Sequence, residues 1–341
     1  MELTLNPNAQ QAAYSGLADN NYTGAAVAIR PSTGEILAMA STPSFDPNEI
    51  AQNNDEAWQE YNNDENAPLL NHSTQRPLPP GSTFKVLDSI ALLENGGSLQ
   101  TAVTNAPQIT LPDSNTTLEN YGGRACGGTT LLTAFAESCN TAFAQVMMDQ
   151  GDQGLRDVAE RFGIGQTYDG LGLPTTSSTL GEIESKAALG QTAIGQRDVS
   201  FTPLDNAVIA ATIANGGVRM EPHIVKNVLG SDLSVIKAVE PKNLGQATSP
   251  EVAEQMTQLM RASEAHSGGN SNFIASKTGT AEHGAVRGEY APHVWYIAFA
   301  PDADVAVAVV VENGGGRGQS ATGATVAAPI GRAIINAVQG G

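Results

Sequence analysis

Ser82 and Lys85 stand three residues apart at the start of an apolar, helix-like segment. They belong to residues 78–86, LPPGSTFKV, and the apolar residues that follow recur at helical spacing up to Gly96. Because residues i and i+3 share one face of a helix, the two side chains can touch. A serine becomes a nucleophile when a base takes its proton, and a desolvated lysine can be that base. Unpaired N–H groups at the helix start would favour an oxyanion.

A simpler interpretation of the same residues is that Ser82 caps the helix and that Lys85 is a solvated surface charge. The chain also contains a second Ser-x-x-Lys, Ser234 to Lys237, within a predicted turn and short strand. Residues i and i+3 point to opposite faces of a strand, so we attribute that second match to chance. The motif alone therefore carries little weight without its helical context.

Two further clusters could complete a site. Ser138-Cys139-Asn140 is the only Ser-x-Asn in the chain, and Lys277-Thr278-Gly279 is the only Lys-Thr-Gly. Each has an ordinary explanation, since asparagine caps helices, threonine favours strands and lysine protects edge strands. These two clusters indicate a site only because they occur together with Ser82 and Lys85.

The composition excludes several functions. The formal net charge is -18, from 35 acidic and 17 basic residues, and no basic cluster could bind nucleic acid. No apolar run reaches the roughly 20 residues of a membrane span. Zinc and nucleotide motifs are missing from the sequence, so we predict no metal and no cofactor.

Strand patterns lie at both ends of the chain and helical patterns in the middle. Predicted strands cover residues 25–30, 36–40, 273–282, 293–300 and 305–312. Predicted helices include residues 131–149, 154–162, 203–215, 250–263 and 321–338. The economical solution is one antiparallel sheet covered by helices, with a helical region inserted between its strands. A site would then lie in the cleft where the two meet.

The two cysteines, Cys126 and Cys139, allow three states from the residues alone. They could be free thiols, part of a metal site or a short disulfide. Their spacing does not fit paired Cys-x-x-Cys zinc motifs, and none of the five histidines is adjacent to them. Free thiols are the default expectation at this point.

The three clusters, in this order, resemble the signature of penicillin-binding proteins and related β-lactamases. The chain as a whole resembles the transpeptidase domain of a class B penicillin-binding protein, nearest to the actinobacterial penicillin-binding protein A group. Matching segments run from LTLNPNAQQAAY through GEILAMASTPSFDPN, PPGSTFKV, AIGQRDVSFTPLDNAVIAATIANGGV and KTGTAEHG to HVWYIAFAP.

This resemblance implies an acyl-transfer reaction. Ser82 would attack the D-Ala-D-Ala bond of a peptidoglycan stem peptide, release D-alanine and form an acyl-enzyme. Lys85 would accept the Ser82 proton, and Ser138 would relay a proton between the lysines and the reacting amine. Asn140 would hold Lys85 and the substrate amide. A second stem peptide would accept the acyl group, and β-lactam antibiotics would block the serine.

The resemblance also implies a binding strand. Lys277, Thr278 and Thr280 would bind the terminal carboxylate, and Gly279 would let the strand approach the substrate. The backbone N–H groups of Ser82 and Thr280 would form the oxyanion hole. Strand alternation sends Lys277 and Thr278 to opposite faces, so both can contribute only if the substrate runs along the strand edge.

The implied fold is α+β and similar to that of penicillin-binding proteins and serine β-lactamases. It has a five-stranded antiparallel sheet covered by helices, plus an all-helical lobe. We expect a single transpeptidase domain over residues 1–341, with the sheet subdomain in residues 1–81 and 264–341 and the lobe in residues 82–263.

Family members act on the outer face of the cell membrane, and division or elongation membrane proteins are their expected partners. We expect the N-terminal membrane anchor and pedestal domain to be missing from this chain, with Met1 added. An oxidising compartment makes a Cys126–Cys139 disulfide the expected state, contributing about 3 kcal/mol.

Two alternatives remain. A serine β-lactamase can share STFK, but the chain has no matching Tyr-Gly-Asn, the nearest triplet being Tyr121-Gly122-Gly123. The block SFTPLDNAVIAATIANGG also favours the synthetic enzyme. A β-lactam sensor would need a signalling domain that the sequence does not display, and an idle division scaffold would not need all three motifs.

Overall fold

The computed structural model describes residues 1–284 and 288–340. The α-helices, in chain order from α1 to α12, are Pro7–Ala18, Pro47–Ala51, Asp55–Asn63, His72–Gln75, Lys85–Glu94, Leu131–Ala136, Asn140–Gln150, Gln153–Arg161, Lys186–Thr192, Pro203–Ala214, Pro250–His266 and Ala327–Gln339. The strands, from β1 to β12, are Glu2–Leu3, Gly24–Ile29, Ile36–Thr42, Gln108–Thr110, Thr117–Glu119, Val218–Met220, Val225–Leu229, Val235–Ala238, Asn243–Gln246, Ala275–Ala281, His293–Ala300 and Val305–Val311.

One five-stranded sheet joins the two ends of the chain. Its strand order is β10-β11-β12-β2-β3, and every neighbouring pair is antiparallel. Lys277 on the edge strand β10 lies opposite Ile297, and Val309 in the centre lies opposite Ala26. The predicted sheet, built from an N-terminal hairpin and three C-terminal strands, is confirmed.

The two central C-terminal strands are apolar on both faces because both faces are covered. Every residue of β11 and β12 is buried. Helices α1 and α12 pack on one face of the sheet, while α10 packs on the other and α11 lies beside β10. These layers enclose two hydrophobic cores, one on each side of the sheet. The site-bearing strand β10 is thus anchored to a rigid layer.

The two long helices that support the sheet each begin at a typical capping residue. Thr202 caps α10 by accepting a hydrogen bond from the Asp205 N–H at 3.1 Å. Ser249 caps α11 in the same way, from the Val252 N–H at 3.2 Å. In each case a proline follows the cap, where its fixed φ suits the first helical turn.

The structure differs from prediction in three places. Residues 82–263 are mostly helical but also contain the short strands β4 to β9, so this region is not all-helical. The helix predicted over residues 131–149 is two helices, α6 and α7, because Ser138 has φ +61° and interrupts the helical backbone. The last helix begins at Ala327 rather than at residue 321, after a turn closed between the Thr322 and Thr325 hydroxyls at 3.0 Å.

The division into subdomains at residues 81/82 and 263/264 stays a prediction. Within the part of the chain that the structure describes, no helix combines the length and apolarity needed to cross a membrane.

Candidate active site

Ser82 lies in a 3-10 turn, Gly81–Phe84, that runs directly into α5. Gly81 has φ +53°, a left-handed conformation that glycine adopts without strain. The side chain of Ser82 caps neither the turn nor α5, so the capping interpretation is wrong. Ser82 is half-buried, and its Oγ instead accepts a hydrogen bond from Lys85 Nζ.

Hydrogen bonds to neighbouring segments hold this turn in place. The Trp295 indole N–H on β11 donates to the carbonyl of Pro79 at 2.8 Å. The Gly81 N–H donates to the carbonyl of Gly195 at 3.0 Å. The turn is therefore fixed from the sheet side and from the loop that follows α9.

Lys85 is fully buried, so it is not a solvated surface charge. Its Nζ lies 3.0 Å from Ser82 Oγ and 2.7 Å from Asn140 Oδ1. It also donates to the Ser138 carbonyl at 2.7 Å and lies 3.3 Å from Ser138 Oγ. The amine thus stands between the predicted nucleophile and the Ser-x-Asn cluster, within proton-transfer distance of Ser82.

The break between α6 and α7 presents the Ser-x-Asn cluster to the site. The Ser138 N–H donates to the Phe135 carbonyl at 3.1 Å, which closes the end of α6. Asn140 is the first residue of α7, and its Nδ2 donates to the Glu119 carbonyl at 3.0 Å. This bond fixes the amide so that Oδ1 faces Lys85. A single continuous helix could not place both side chains there.

Lys277 completes the cluster from the sheet. It is fully buried, and its Nζ donates to Ser138 Oγ at 2.9 Å and to the Thr278 carbonyl at 3.1 Å. Ser138 Oγ therefore lies between two amines. The structure brings together all five predicted polar groups, which come from three separate parts of the chain: Ser82, Lys85, Ser138, Asn140 and Lys277.

Strand alternation separates the other predicted binding residues. Thr278 and Thr280 are half-buried and lie opposite Tyr296 and Val294, whose side chains belong to the core under α1 and α12. Lys277 points to the other side of β10. A ligand in contact with both Lys277 and the threonines must therefore run along the open edge of the strand, as the sequence required.

Gly279 meets a requirement that the sequence did not reveal. A Cβ at this position would lie 2.6 Å from the Pro80 carbonyl oxygen. The sequence led us to assign this glycine to the approach of a substrate. The structure shows that it also lets β10 pack against the turn that carries Ser82.

Burial changes the pKa of both lysines. Desolvation and the positive charge of Lys277 lower the pKa of Lys85 well below its usual value, while Asp88 opposes this shift. Desolvation lowers the pKa of Lys277 to about 7. The rings of Phe143 and Phe135 lie 5.5 Å and 5.7 Å from the two Nζ atoms. The site can thus hold an uncharged lysine, able to act as a base, beside Ser82.

Asp88 is a buried carboxyl group that sequence reasoning missed. It lies one turn after Lys85 on α5, and neither carboxyl oxygen has a hydrogen-bond partner among the described residues. The side chains around it, among them Leu92 and Leu131, are apolar. Desolvation raises the pKa of Asp88 well above its usual value. A charged residue inside VLDSIALL was the only available signal.

Replacing Asp88 with leucine is expected to stabilise the protein by about 1–3 kcal/mol at pH 7, since the change removes an unsatisfied buried polar group. Burial favours the neutral carboxyl group of Asp88 in the folded chain, whereas in the unfolded chain this group ionises at its ordinary pKa. The wild type therefore loses stability as the pH rises above the ordinary value of 3.8. Urea unfolding at pH 5 and pH 8 should show that the leucine variant gains more free energy of unfolding, relative to the wild type, at the higher pH. A gain of equal size at both values would contradict this assignment.

Cys126 and Cys139 are joined by a disulfide, so the default of free thiols is wrong and the state implied by the family resemblance is present. Both sulfurs lie near a carboxylate oxygen of Glu137, within the reach of one metal ion. Disulfide sulfurs are not thiolate ligands, so this group does not fit a metal. The bridge instead ties the residue between Ser138 and Asn140 to the preceding loop.

The double substitution Cys126→Ser and Cys139→Ser is expected to lower the free energy of unfolding by about 3 kcal/mol, because the bridge restricts the unfolded chain. Urea unfolding measures this loss, and the wild type unfolded in dithiothreitol provides the matched control. Equal stability of the oxidised wild type and the double variant would contradict a stabilising role for the bridge.

Comparisons with known proteins agree on one family. A family model described as the penicillin-binding protein transpeptidase domain matches residues 24–336. The chain is 47% identical to peptidoglycan D,D-transpeptidase PbpA of Mycolicibacterium smegmatis, over 99% of this chain and 72% of the relative.

Solved structures show the same relationship. The penicillin G acyl-enzyme complex of penicillin-binding protein A from M. tuberculosis superposes with a TM-score of 0.94 at 46% identity, covering 99% of this chain and 80% of that one. A chain of a peptidoglycan synthase complex that coordinates polymerization and crosslinking gives a TM-score of 0.82 at 31% identity, covering 99% of this chain and 62% of that one.

Proposed function

The chain belongs to the penicillin-binding protein transpeptidase family, and we propose that Ser82 is the nucleophile with which it acts as a peptidoglycan D,D-transpeptidase. The observation that carries this proposal is the 3.0 Å distance between Ser82 Oγ and the buried Nζ of Lys85. A hydroxyl group at this distance from a desolvated amine can transfer its proton as it attacks.

Acylation would begin with attack of Ser82 Oγ on the carbonyl carbon of the penultimate D-alanine. Lys85 takes the hydroxyl proton, and a tetrahedral oxyanion forms. When the peptide bond breaks, the departing D-alanine nitrogen gains a proton through Ser138, whose hydroxyl lies within hydrogen-bond distance of both amines. The products are free D-alanine and an ester on Ser82, and Lys85 is again neutral.

The substrate would be oriented from β10. Lys277 attracts the terminal carboxylate, and the Thr278 and Thr280 hydroxyls bind it where it runs along the open strand edge. Asn140 keeps Lys85 in position and offers its amide to the substrate backbone. The backbone N–H groups of Ser82 and Thr280 would bind the developing oxyanion.

The second half of the reaction would transfer the acyl group to an amine of a neighbouring stem peptide. Ser138 and Lys85 accept the proton of that amine, and Lys85 returns a proton to Ser82 Oγ as the ester bond breaks. The acyl group is then held in a new peptide cross-link, and the Ser82 hydroxyl is regenerated. A β-lactam follows only the first half, because its opened ring leaves no departing fragment and the ester on Ser82 persists. This difference makes β-lactams useful probes of the site.

The test uses a labelled penicillin followed by peptide mapping and a measurement of deacylation. We expect one adduct, on Ser82, that persists for many minutes, together with release of D-alanine from a stem peptide ending in D-Ala-D-Ala. Rapid turnover of the adduct would identify a serine β-lactamase instead. An adduct on another residue would overturn the assignment of Ser82.

The rate of acylation should depend on pH with a bell-shaped profile. Acylation needs neutral Lys85, so the rate rises as Lys85 loses its proton, and it needs charged Lys277, so the rate falls above a pH of about 7. The second-order rate constant for penicillin, measured from pH 5 to 9, reports these groups in the free enzyme. Lys277→Arg should shift the fall to higher pH, whereas a wild-type rate that stays flat from pH 7 to 9 would contradict the role of Lys277.

The site of action and the partners follow from the same reaction. Stem peptides are cross-linked outside the cytoplasm, and the disulfide is consistent with an oxidising compartment. We therefore propose that the protein acts on the outer face of the cell membrane. Division or elongation membrane proteins are its proposed partners, supported by the similar chain in a peptidoglycan synthase complex.

A further inference from the structure

The side chain of Gln196 pairs with the backbone of Glu282, at the end of the strand that borders the site. With its amide oriented to satisfy both groups, its nitrogen donates to the Glu282 carbonyl at 2.9 Å and its oxygen accepts from the Glu282 N–H at 3.1 Å. Glu282 directly follows β10 and lies two residues after Thr280. Gln196 therefore extends the hydrogen bonding of β10 at its outer end.

The residue before Gln196 contacts the turn that carries Ser82. The Gly195 carbonyl accepts the Gly81 N–H at 3.0 Å. A Cβ at Gly195 would lie 2.0 Å from the Gly81 carbonyl oxygen, and φ is +67°, so only glycine allows this approach. Gly195 and Gln196, which we call the clamp, thus hold the turn with one residue and the strand with the next.

The clamp holds the turn that carries Ser82 and the end of β10, and the spacing between these two parts must stay fixed. The turn and the strand already touch, since a Cβ at Gly81 would lie 2.9 Å from the Thr280 carbonyl oxygen. The proposed oxyanion donors, the N–H groups of Ser82 and Thr280, lie on the two sides of this contact. An oxyanion hole works only when its donors are set at hydrogen-bond distance from the oxyanion before the reaction, so small displacements reduce the rate strongly.

We infer that Gln196 is a positioning residue, which sets the spacing between the backbone N–H groups of Ser82 and Thr280 by holding the end of β10. This inference rests on the proposed function. Gln196 does not touch the reacting atoms, and it acts through Glu282 on one side and through its neighbour Gly195 on the other. β10 is an edge strand with β11 as its single strand partner in the described sheet, so the two bonds from Gln196 to Glu282 supply pairing on the side where β10 has no neighbouring strand.

The chain contains a matched control on the opposite edge of the same sheet. The Gln10 amide donates to the Met39 carbonyl at 2.9 Å and accepts from the Met39 N–H at 2.8 Å. Met39 lies on β3, the other edge strand, whereas the site borders β10. Gln10→Ala and Gln196→Ala therefore remove the same two hydrogen bonds from an edge strand, far from the site in one case and beside it in the other.

The experiment compares these two variants with the wild type during acylation by penicillin. We expect Gln196→Ala to lower the first-order acylation rate constant at least about tenfold, with little change in the dissociation constant of the initial complex. The ester carbonyl of its acyl-enzyme should absorb at a higher infrared frequency than that of the wild type, because a weaker oxyanion hole polarises the carbonyl less. Gln10→Ala should match the wild type in both measurements, whatever it loses in melting temperature.

Gln196→Met provides a second variant, of similar length but without the two hydrogen bonds, should the alanine variant fold poorly. Equal losses of rate in the Gln10 and Gln196 variants, or an unchanged carbonyl frequency in a slow Gln196 variant, would overturn the inference. These outcomes are distinct from failure of the proposed function, which the absence of a Ser82 adduct in the wild type would reveal.

Discussion

Replacement of Ser82 by alanine is expected to abolish covalent binding of penicillin. The wild type should gain the mass of one penicillin molecule, and Ser82→Ala should gain none. The reason is that Ser82 Oγ is the atom proposed to form the ester, and it lies 3.0 Å from the Lys85 amine that is proposed to take its proton. Intact-protein mass spectrometry after incubation with penicillin measures the result directly.

A second serine offers a control for this experiment. Ser234 also precedes a lysine by three residues, but its hydroxyl donates to Asp232 at 2.6 Å on an exposed turn, and Lys237 lies on the exposed strand β8. Ser234→Ala should therefore bind penicillin as fast as the wild type. An adduct that persists in Ser82→Ala, for instance on Ser138, would show that the nucleophile has been assigned wrongly.

The sheet could be predicted from the sequence because its signals are local. His293–Ala300 is a run of apolar and aromatic residues between turn residues, and the observed strand has the predicted bounds. The helices Pro203–Ala214 and Pro250–His266 begin at a cap followed by proline, which marks their starts. In these elements local preference and tertiary packing agree.

The break at Ser138 could not be predicted in the same way. Residues 131–149 have a continuous helical pattern, and serine rarely adopts a left-handed conformation such as the observed φ of +61°. That conformation is stabilised by tertiary contacts, among them the bond from Lys85 to the Ser138 carbonyl at 2.7 Å. Sequence patterns contain no information on contacts between segments so far apart.

The candidate site, too, was predicted only in part, because some of its features depend on tertiary contacts. Helical spacing predicted that Ser82 and Lys85 can touch, and the family resemblance predicted that Ser138, Asn140 and Lys277 join them. The structure brings the five polar groups together. The roles of Asp88 and Gln196 were missed, because each depends on what surrounds the side chain. Asp88 is identified by its apolar neighbours, and Gln196 by a backbone pairing with a residue 86 positions later.

Replacement of Lys85 by methionine is expected to slow acylation by penicillin about 10³- to 10⁴-fold while the initial complex still forms. General base catalysis typically contributes about 10²- to 10⁴-fold, and the upper range applies here because the amine is buried in direct contact with Ser82. Methionine keeps the length and packing of the buried stem but cannot accept a proton. Stopped-flow measurements with a fluorescent penicillin separate the dissociation constant from the acylation rate constant, and Lys237→Met is the control in the second Ser-x-x-Lys.

The stability of this variant provides an independent check on the charge of Lys85. The wild type buries an amine whose pKa is well below its usual value, so below the ordinary value of 10.5 the unfolded chain binds a proton that the folded chain does not. This difference lowers the stability of the wild type progressively as the pH falls from that value towards the lowered pKa. Lys85→Met lacks the titrating group, and its stability relative to the wild type should therefore increase as the pH is lowered through this range.

An acylation rate in Lys85→Met within tenfold of the wild type would assign the base elsewhere. Lys277 would then be the candidate base, with Ser138 Oγ, which lies 2.9 Å from its amine of pKa about 7, carrying the proton from Ser82. In that case Lys277→Met should abolish the activity remaining in Lys85→Met, and Ser138→Ala should do the same. If Lys85 is the base, these second substitutions would add only the loss of carboxylate binding and of the proton relay. The double variants therefore show which of the two amines is the base. A single substitution of the hydroxyl that both amines share could not show this.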